Sequence, residues 1–215
     1  MQLGVFGEPV GYTSQGQYEA GSTADSGVKK PTSMKFRVLH MLGEDMMEAY
    51  ENGKIDPVIG REKEVDQLME SVLRWKKSAP ILVGSPGVGK TAVVEGLVHR
   101  IVMGDVPECL KDLRIWSISP GALSSGTAMK GAFEQRVQDL IADMEEFHDR
   151  VILFVDEIHG LFGSGSTSDV MSNPASMMKP ALSRGRMRIF GATTDSDMSK
   201  MIQRAAALMW RFQSI

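Results

Sequence analysis

The 215-residue sequence predicts an α/β fold in which a mainly parallel sheet lies between two layers of helices. Predicted strands at 80–83, 151–155 and 186–191 alternate with longer stretches of helical periodicity, an order typical of parallel strands joined by helices. The run 151–155 contains no polar residue, as expected for a strand that helices cover on both faces. Its hydrophobic content of 42% and charged content of 24% are ordinary for a globular domain.

The predicted elements begin near residue 36. Residues 1–35 are rich in Gly, Ser, Thr and Gln and are predicted to form a flexible tail, so that 36–215 make up one αβ domain. Gly53 is expected to end the first helix. We predict helices at 42–52, 62–75 and 92–103, from Phe133 onward and at 174–184, and strands at 80–83, 114–118, 151–155 and 186–191.

The segment 84–91, GSPGVGKT, fits the pattern G-x-x-x-x-G-K-[ST] and lies between a predicted strand and a predicted helix. Its glycines allow backbone conformations that a Cβ would block, so that successive N–H groups can point at phosphate oxygens. Lys90 is expected to reach the β- and γ-phosphates, and the Thr91 hydroxyl is expected to hold Mg²⁺. The residues predicted to bind the nucleotide are Gly84, Ser85, Pro86, Gly87, Val88, Gly89, Lys90 and Thr91.

Two adjacent carboxylates, Asp156 and Glu157, follow the strand 151–155. Burying such a pair is costly without a cation, and Mg²⁺ bound to ATP would supply one. Asp156 is then the carboxylate that faces the metal, and Glu157 orients or deprotonates the attacking water. The alternative is a surface pair at the start of a helix, where the dipole favours acids. His159 has no partners at ligand spacing, so we expect a polar residue at a helix start near the site rather than a metal ligand.

A third polar element follows the predicted strand 186–191, where the sequence continues Ala192-Thr193-Thr194. Because ligands of open parallel sheets gather at the carboxyl ends of the strands, the hydroxyl of Thr194 is expected to contact the attacking water or the γ-phosphate. The alternative is that this hydroxyl caps the next helix.

The composition excludes several classes of partner. The net charge of −3 gives no argument for nucleic-acid or membrane binding, and neither is predicted. The single cysteine, Cys109, excludes an intrachain disulfide framework and suits a reducing compartment. The first residues lack the basic start and long apolar core of a secretory signal. We therefore expect a cytoplasmic location, with an organelle matrix as the alternative.

With these motifs in hand, the chain from about residue 41 to its end resembles the first ATPase module of the Clp-type AAA+ protein unfoldases, the ClpA, ClpB and ClpC group. The resemblance implies a P-loop NTPase of the AAA+ type, a three-layer αβα sandwich, with only the large subdomain present and the helical lid subdomain missing. It also implies ATP and Mg²⁺ as ligands, with Val58 and Ile59 framing the adenine. The stretches that carry it are 53–61, 84–97, 104–107, 156–159, 179–182, 191–194 and 211–213.

In that family, ATP hydrolysis in a hexameric ring drives loops that pull polypeptide through a central pore. The resemblance therefore implies polypeptide clients and a homo- or hetero-hexamer with Clp-type subunits. In the stretch that corresponds to the pore loop, Met129 replaces the usual aromatic and Lys130 follows it. In the arginine-finger segment, Trp210 replaces the first of two arginines and Arg211 keeps the second, with an ordinary solvent-facing arginine as the alternative. A finger acts on the γ-phosphate of a neighbouring subunit, so this replacement is expected to lower turnover.

Three functions follow from these observations. The first is an ATPase subunit of a Clp-like chaperone ring, in which Glu157 activates water, Thr194 positions it and a neighbour's Arg211 stabilises the developing charge. The second is a truncated or divergent regulatory subunit that binds nucleotide with little turnover of its own. The third is a small-molecule or nucleoside kinase, which is disfavoured because Glu157 suits water activation and no acceptor site is recognisable.

Overall fold

One six-stranded sheet organises the computed structural model, which describes residues 36–74, 79–126, 130–162, 174–209 and 212–215. The strands are β1 (Gly43–Asp45), β2 (Ala79–Val83), β3 (Arg114–Ile118), β4 (Val151–Val155), β5 (Ile189–Thr193) and β6 (Phe212–Ser214). They lie in the order β1-β3-β4-β5-β2-β6. Every neighbouring pair is parallel except β1 and β3, which are antiparallel. The predicted mainly parallel sheet is confirmed.

Eight α-helices accompany these strands within the described residues. They are α1 (Arg37–Leu42), α2 (Met46–Glu51), α3 (Glu62–Leu73), α4 (Lys90–Met103), α5 (Pro120–Ser124), α6 (Lys130–Glu146), α7 (Pro174–Ser183) and α8 (Asp195–Met209). Two short 3₁₀ helices cover Glu108–Leu110 and Ile158–Phe162. None of the helices in this described part is long and apolar enough to cross a membrane.

The central strand β4 separates two hydrophobic cores. Side chains of neighbouring residues point to opposite faces of a strand, and the two cores follow this alternation. Leu153 and Val155 pack into the core formed with α1, α6, α7 and α8, whereas Ile152 and Phe154 pack into the core formed with α2, α3 and α4. All five residues of β4 are fully buried. The three-layer sandwich is therefore confirmed, with the apolar run of β4 at its centre.

The predicted helix 42–52 is wrong in its first part. Gly43–Asp45 forms the edge strand β1, in which a Cβ on Gly43 would lie only 2.4 Å from the carbonyl oxygen of Ser117. The helix starts after Asp45, whose carboxylate accepts hydrogen bonds from the N–H groups of Met47 and Glu48. The helix then ends where predicted, because Gly53 takes a φ of +69° that favours glycine.

The predicted strand 186–191 starts and ends too early. The strand β5 covers Ile189–Thr193, so Ala192 and Thr193 belong to the sheet rather than to the loop after it. Gly191 lies inside this strand because the side chain of Ile158 packs over it, and a Cβ there would approach Ile158 within 2.8 Å. The tail assigned to residues 1–35 lies outside the described residues, so that assignment and the single domain over 36–215 stay predictions.

Candidate nucleotide-binding site

A cleft of about 500 Å³ opens at the carboxyl ends of β2, β4 and β5. The ends of β2 and β5 lie level because the parallel register pairs Val83 with Thr193, and β4 ends close by, where Val155 pairs with Gly191. This edge of the sheet is where open α/β proteins bind ligands. The described residues that line the cleft are Pro86, Gly87, Gly89, Lys90, Thr91, Asp156, Glu157, His159, Ala192, Thr193, Thr194 and Asp197.

The loop between β2 and α4 supplies the first wall of the cleft. Gly87 and Gly89 have φ values of +77° and +91°, which a residue with a side chain rarely adopts. The ammonium group of Lys90 donates hydrogen bonds to the carbonyl oxygens of Gly84 and Ser85, at 3.0 Å each. Since α4 begins at Lys90, the N-terminal end of its dipole and the lysine charge both face the cleft. This wall is suited to bind an anion.

The second wall comes from the end of β4. Oγ1 of Thr91 donates to Oδ2 of Asp156 at 3.3 Å, and Oδ1 of Asp156 accepts the N–H of Glu157 at 2.9 Å. A hydroxyl and a carboxylate oxygen side by side are the hard oxygen donors that Mg²⁺ takes when it is also bound to phosphates. The residues present therefore fit a magnesium ion between the loop and β4. Among the described residues there is no cluster of three or more His, Cys, Asp or Glu side chains arranged for a metal.

Glu157 has a left-handed backbone conformation, with a φ of +54°. Apart from Phe36 it is the only non-glycine residue of the described part with a positive φ. Its carbonyl oxygen accepts the N–H of Gly160 at 2.8 Å, which starts the 3₁₀ helix, and its side chain is exposed on the cleft. Such strain is costly and clusters at functional sites. The structure thus places Glu157 beside Asp156 with its side chain exposed on the cleft.

The third wall consists of Thr193 and Thr194. The Thr194 hydroxyl donates to Oδ2 of Asp197 at 2.7 Å and accepts the Asp197 N–H at 3.2 Å, so it caps α8 as the alternative interpretation expected. Thr194 also lines the cleft, which leaves its proposed contact with water a prediction. Thr193 is buried at the end of β5, with its hydroxyl 3.3 Å from Nδ1 of His159.

His159 and Asp197 also line the cleft, where the sequence predicted only a polar helix-start residue for His159 and gave Asp197 no role. Nδ1 of His159 lies 3.8 Å from Oδ2 of Asp197, and Lys200 donates to the other oxygen of that carboxylate at 2.9 Å. The hydrogen bond from Lys200, followed by that from Thr194, holds the pKa of Asp197 below its usual value. For Asp197, the only signal in the sequence was its T-x-x-D spacing from Thr194, which is typical of a helix cap.

The residues expected around the adenine do not line the cleft. Ile59 is 88% exposed, and Val58 is half-buried against α4, where its side chain lies 3.7 Å from the position of a Cβ on Gly96. Their role toward the adenine stays a prediction. Met129, Trp210 and Arg211 lie outside the described residues, as does the side chain of Lys130 at the start of α6. Their assigned roles therefore stay predictions as well.

The phosphate-type loop, the paired acids and the parallel sheet together define a P-loop nucleotide-binding protein of the α/β class. A sequence model described as the "ATPase family associated with various cellular activities (AAA)" matches residues 80–215. The chain belongs to this AAA family of ATPases.

Comparison with curated proteins confirms the resemblance to the Clp group. The chain is 46% identical to the chaperone protein ClpB of Aquifex aeolicus over 177 residues, which is 82% of this chain and 17% of that protein. It is 42% identical to the chaperone protein ClpB 2 of Nostoc sp. over 181 residues, 84% of this chain and 21% of that protein. It is 40% identical to the AAA+ ATPase ClpV1 of Pseudomonas aeruginosa over 208 residues, 95% of this chain and 23% of that protein.

The chain thus spans about a fifth of the length of these relatives. Among solved structures, a closed-state reconstruction of Hsp104 with ATPγS and FITC-casein matches with a TM-score of 0.75 and 40% identity, over 83% of this chain and 30% of that one. The Hsp104–ADP complex of S. cerevisiae matches with a TM-score of 0.73 and the same identity, over 82% of this chain and 30% of that one. These likenesses confirm the AAA+ fold.

Proposed function

We propose that this chain binds ATP with Mg²⁺ and hydrolyses it as part of a Clp-like ring that remodels proteins. The observation that carries the proposal is the meeting of Lys90, Thr91 and Asp156 in one cleft at the strand ends. An anion-binding loop faces a carboxylate across the space, so the site can accept a magnesium triphosphate with its charges matched.

Five residues of the cleft have a definite task in this proposal. Lys90 leaves its loop carbonyls to bind the β- and γ-phosphates, and Thr91 and Asp156 hold the metal. When bound, Mg²⁺ neutralises charge on the phosphate oxygens. Glu157, exposed on the cleft, accepts a proton from the attacking water, and Thr194 holds that water through its hydroxyl.

The proposals of a ring and of polypeptide clients are based on the similarity to ClpB and Hsp104. ClpB carries the name chaperone, and a matching Hsp104 structure contains ATPγS together with casein. By this likeness we assign polypeptide clients to the present chain, with Met129 and Lys130 contacting the client and Arg211 acting on the nucleotide of a neighbouring subunit. The proposed assembly is a hexamer with itself or with Clp-type subunits, located in the cytoplasm.

The sequence departures favour a second candidate function. Trp210 stands where the family has its first finger arginine, and Met129 stands in place of the pore aromatic. A chain with these replacements can bind nucleotide and enter mixed rings while turning over slowly by itself. The two candidates share the nucleotide site and differ in turnover.

Phosphate release by the wild type and by Glu157→Gln, measured at high protein concentration, tests the proposal. We expect the substitution to lower turnover by about 10²–10⁴-fold, the range for loss of a general base. Equal and negligible rates in both proteins, with saturable ATP binding, would leave the regulatory function. Particle size with a slowly hydrolysed ATP analogue then tests assembly, since a monomer with and without the analogue contradicts the ring.

A further inference from the structure

Arg61 joins the start of α3 to the phosphate loop. Its Nη2 atom donates a hydrogen bond to the carbonyl oxygen of Val88, which lies 27 residues further along the chain. Its Nη1 atom donates to Oε1 of Glu64 at 3.0 Å, one turn into α3. The guanidinium, whose fixed donors can serve two acceptors at once, therefore ties the loop to the helix that packs on α4.

The contact with Val88 determines which way one loop peptide points. The carbonyl of Val88 and the N–H of Gly89 belong to the same planar trans peptide, so they point in opposite directions. Gly89 lines the cleft, whereas Arg61 is not one of the described residues that do so. Arg61 is packed against this same peptide, because a Cβ on Gly89 would lie 3.7 Å from its Nη2. With its carbonyl held by Arg61, the peptide directs its N–H away from Arg61.

The positive φ of Gly89 gives the hydrogen bond from Arg61 to the Val88 carbonyl a role in fixing the loop. At +91°, the glycine is in a region that leaves its backbone few steric limits, so a contact with the neighbouring carbonyl helps to fix the orientation of the peptide. On the cleft side the loop carbonyls of Gly84 and Ser85 are bound by Lys90, which must leave them to reach a phosphate. The contact of Arg61 with Val88 joins two residues that are not among the described residues lining the cleft, so it does not have to break when a ligand enters.

We propose that Arg61 is a positioning residue for phosphate binding, which holds the Val88–Gly89 peptide with its N–H facing the anion. This inference rests on the proposed nucleotide site and adds to it a residue that does not touch the ligand. Direct attraction between Arg61 and a phosphate is a minor contribution, because its side chain is 38% exposed and its charge is paired with Glu64. The ligand class is a di- or triphosphate, recognised through backbone N–H groups.

The test compares Arg61→Met with Arg61→Lys and with two control variants. Arg74→Met removes an exposed arginine at the other end of α3, which pairs with Glu70 at 3.2 Å. Glu64→Gln removes the ion-pair partner while leaving the donor to Val88 in place. Calorimetry gives the affinity for MgATP and for magnesium tripolyphosphate, which has no base or sugar. Amide hydrogen exchange of the nucleotide-free protein reports on the loop.

We expect Arg61→Met to weaken both ligands by about tenfold, the effect of one charge-assisted hydrogen bond. Amide exchange in 84–91 should rise in this variant, and Arg61→Lys should recover part of the affinity because an ammonium can still donate to one carbonyl. Both controls should stay within about twofold.

The inference is overturned if wild type binds MgATP and Arg61→Met, shown to be folded by its melting transition, binds both ligands within about twofold of it. It is also overturned if affinity falls while loop exchange stays unchanged. Should Arg61→Met not fold, the same two readouts on Arg61→Lys decide the matter. Failure of the wild type to bind either ligand removes the proposed function itself, and the inference with it.

Discussion

The hydroxyl oxygen of Thr91 and the carboxylate of Asp156 lie 3.3 Å apart, although 65 residues separate them in the chain. Thr91 is the second residue of α4, which follows β2, and Asp156 follows β4 directly. Both strands flank β5, so the parallel sheet brings the two side chains to one edge. The pair gives the phosphate loop an acidic partner across the cleft, and this is what a magnesium-bound phosphate needs.

Replacing Lys90 tests the anion-binding wall. We expect Lys90→Ala to weaken ATP binding by at least about tenfold, because a hydrogen-bonded ammonium next to a phosphate contributes on the order of 1.5–3 kcal/mol. Its present partners are two loop carbonyls, so the fold should persist. Lys111→Ala, which removes an exposed lysine paired with Glu108, is the control. Equal affinities of the two variants, measured by calorimetry, would contradict the assignment.

Because the backbone at Glu157 is strained, we expect glycine at this position to stabilise the fold. Glu157→Gly relieves a left-handed conformation that costs a non-glycine residue about 1–2 kcal/mol. We expect its free energy of unfolding to rise by about 1 kcal/mol, since glycine also adds entropy to the unfolded chain. Glu157→Gln keeps the strain and should unfold like the wild type. Urea unfolding of both variants checks this, and a destabilised Glu157→Gly would show that the conformation carries no strain.

The lowered pKa of Asp197 leads us to expect that the folded chain loses thermal stability at acidic pH. Hydrogen bonds from Lys200 and Thr194 lower the pKa of this carboxylate below 3.8, so the folded state favours its ionised form. The resulting stabilisation is complete above the unfolded pKa and is lost as the pH falls through the lower folded pKa. Asp197→Asn should therefore reduce the loss of thermal stability between pH 4 and more acidic values. Lys200→Met, which removes the largest cause, should reduce it as well. Parallel pH profiles for all three proteins would refute the coupling.

The close packing of Gly191 against Ile158 leads us to expect that a larger residue at position 191 destabilises the fold. A Cβ at this position would lie 2.8 Å from two atoms of Ile158, which is 1% exposed and follows Glu157. Because Ile158 cannot move easily in the core, Gly191→Ala should destabilise the fold by about 1–3 kcal/mol and lower turnover. Gly131→Ala is the control, since Gly131 lies in α6 with no atom within 4 Å of an added Cβ. That variant should gain about 0.5–1 kcal/mol. A neutral Gly191→Ala would contradict the tight contact.

The sequence was sufficient for the parts of the fold that depend on local pattern. The apolar run of β4 and the glycine-rich loop before α4 each have a single structural interpretation, and both lie as predicted. The edge strand β1 was missed because three residues, among them Gly43 and Asp45, give no period that distinguishes a strand from a helix. Thr193 was placed after a strand that in fact contains it, since Gly191 was interpreted as its end.

The relationships across the site needed the tertiary structure. Asp156 and Glu157 were recognisable from the sequence as candidate site residues because they follow a buried strand directly. The contact of Arg61 with Val88 and that of His159 with Thr193 join residues 27 and 34 positions apart on different elements. No spacing rule reaches across such distances, because the geometry is determined by how α3 and the 3₁₀ helix pack on the sheet.

The most direct test of the account is the affinity of the wild-type chain for ATP with magnesium present and with magnesium chelated. We expect one nucleotide bound per chain and an affinity that falls at least about tenfold without the metal, because Thr91 and Asp156 then lose the cation that links them to the phosphates. No saturable binding at millimolar ATP, or an affinity that does not change when magnesium is removed, would contradict it.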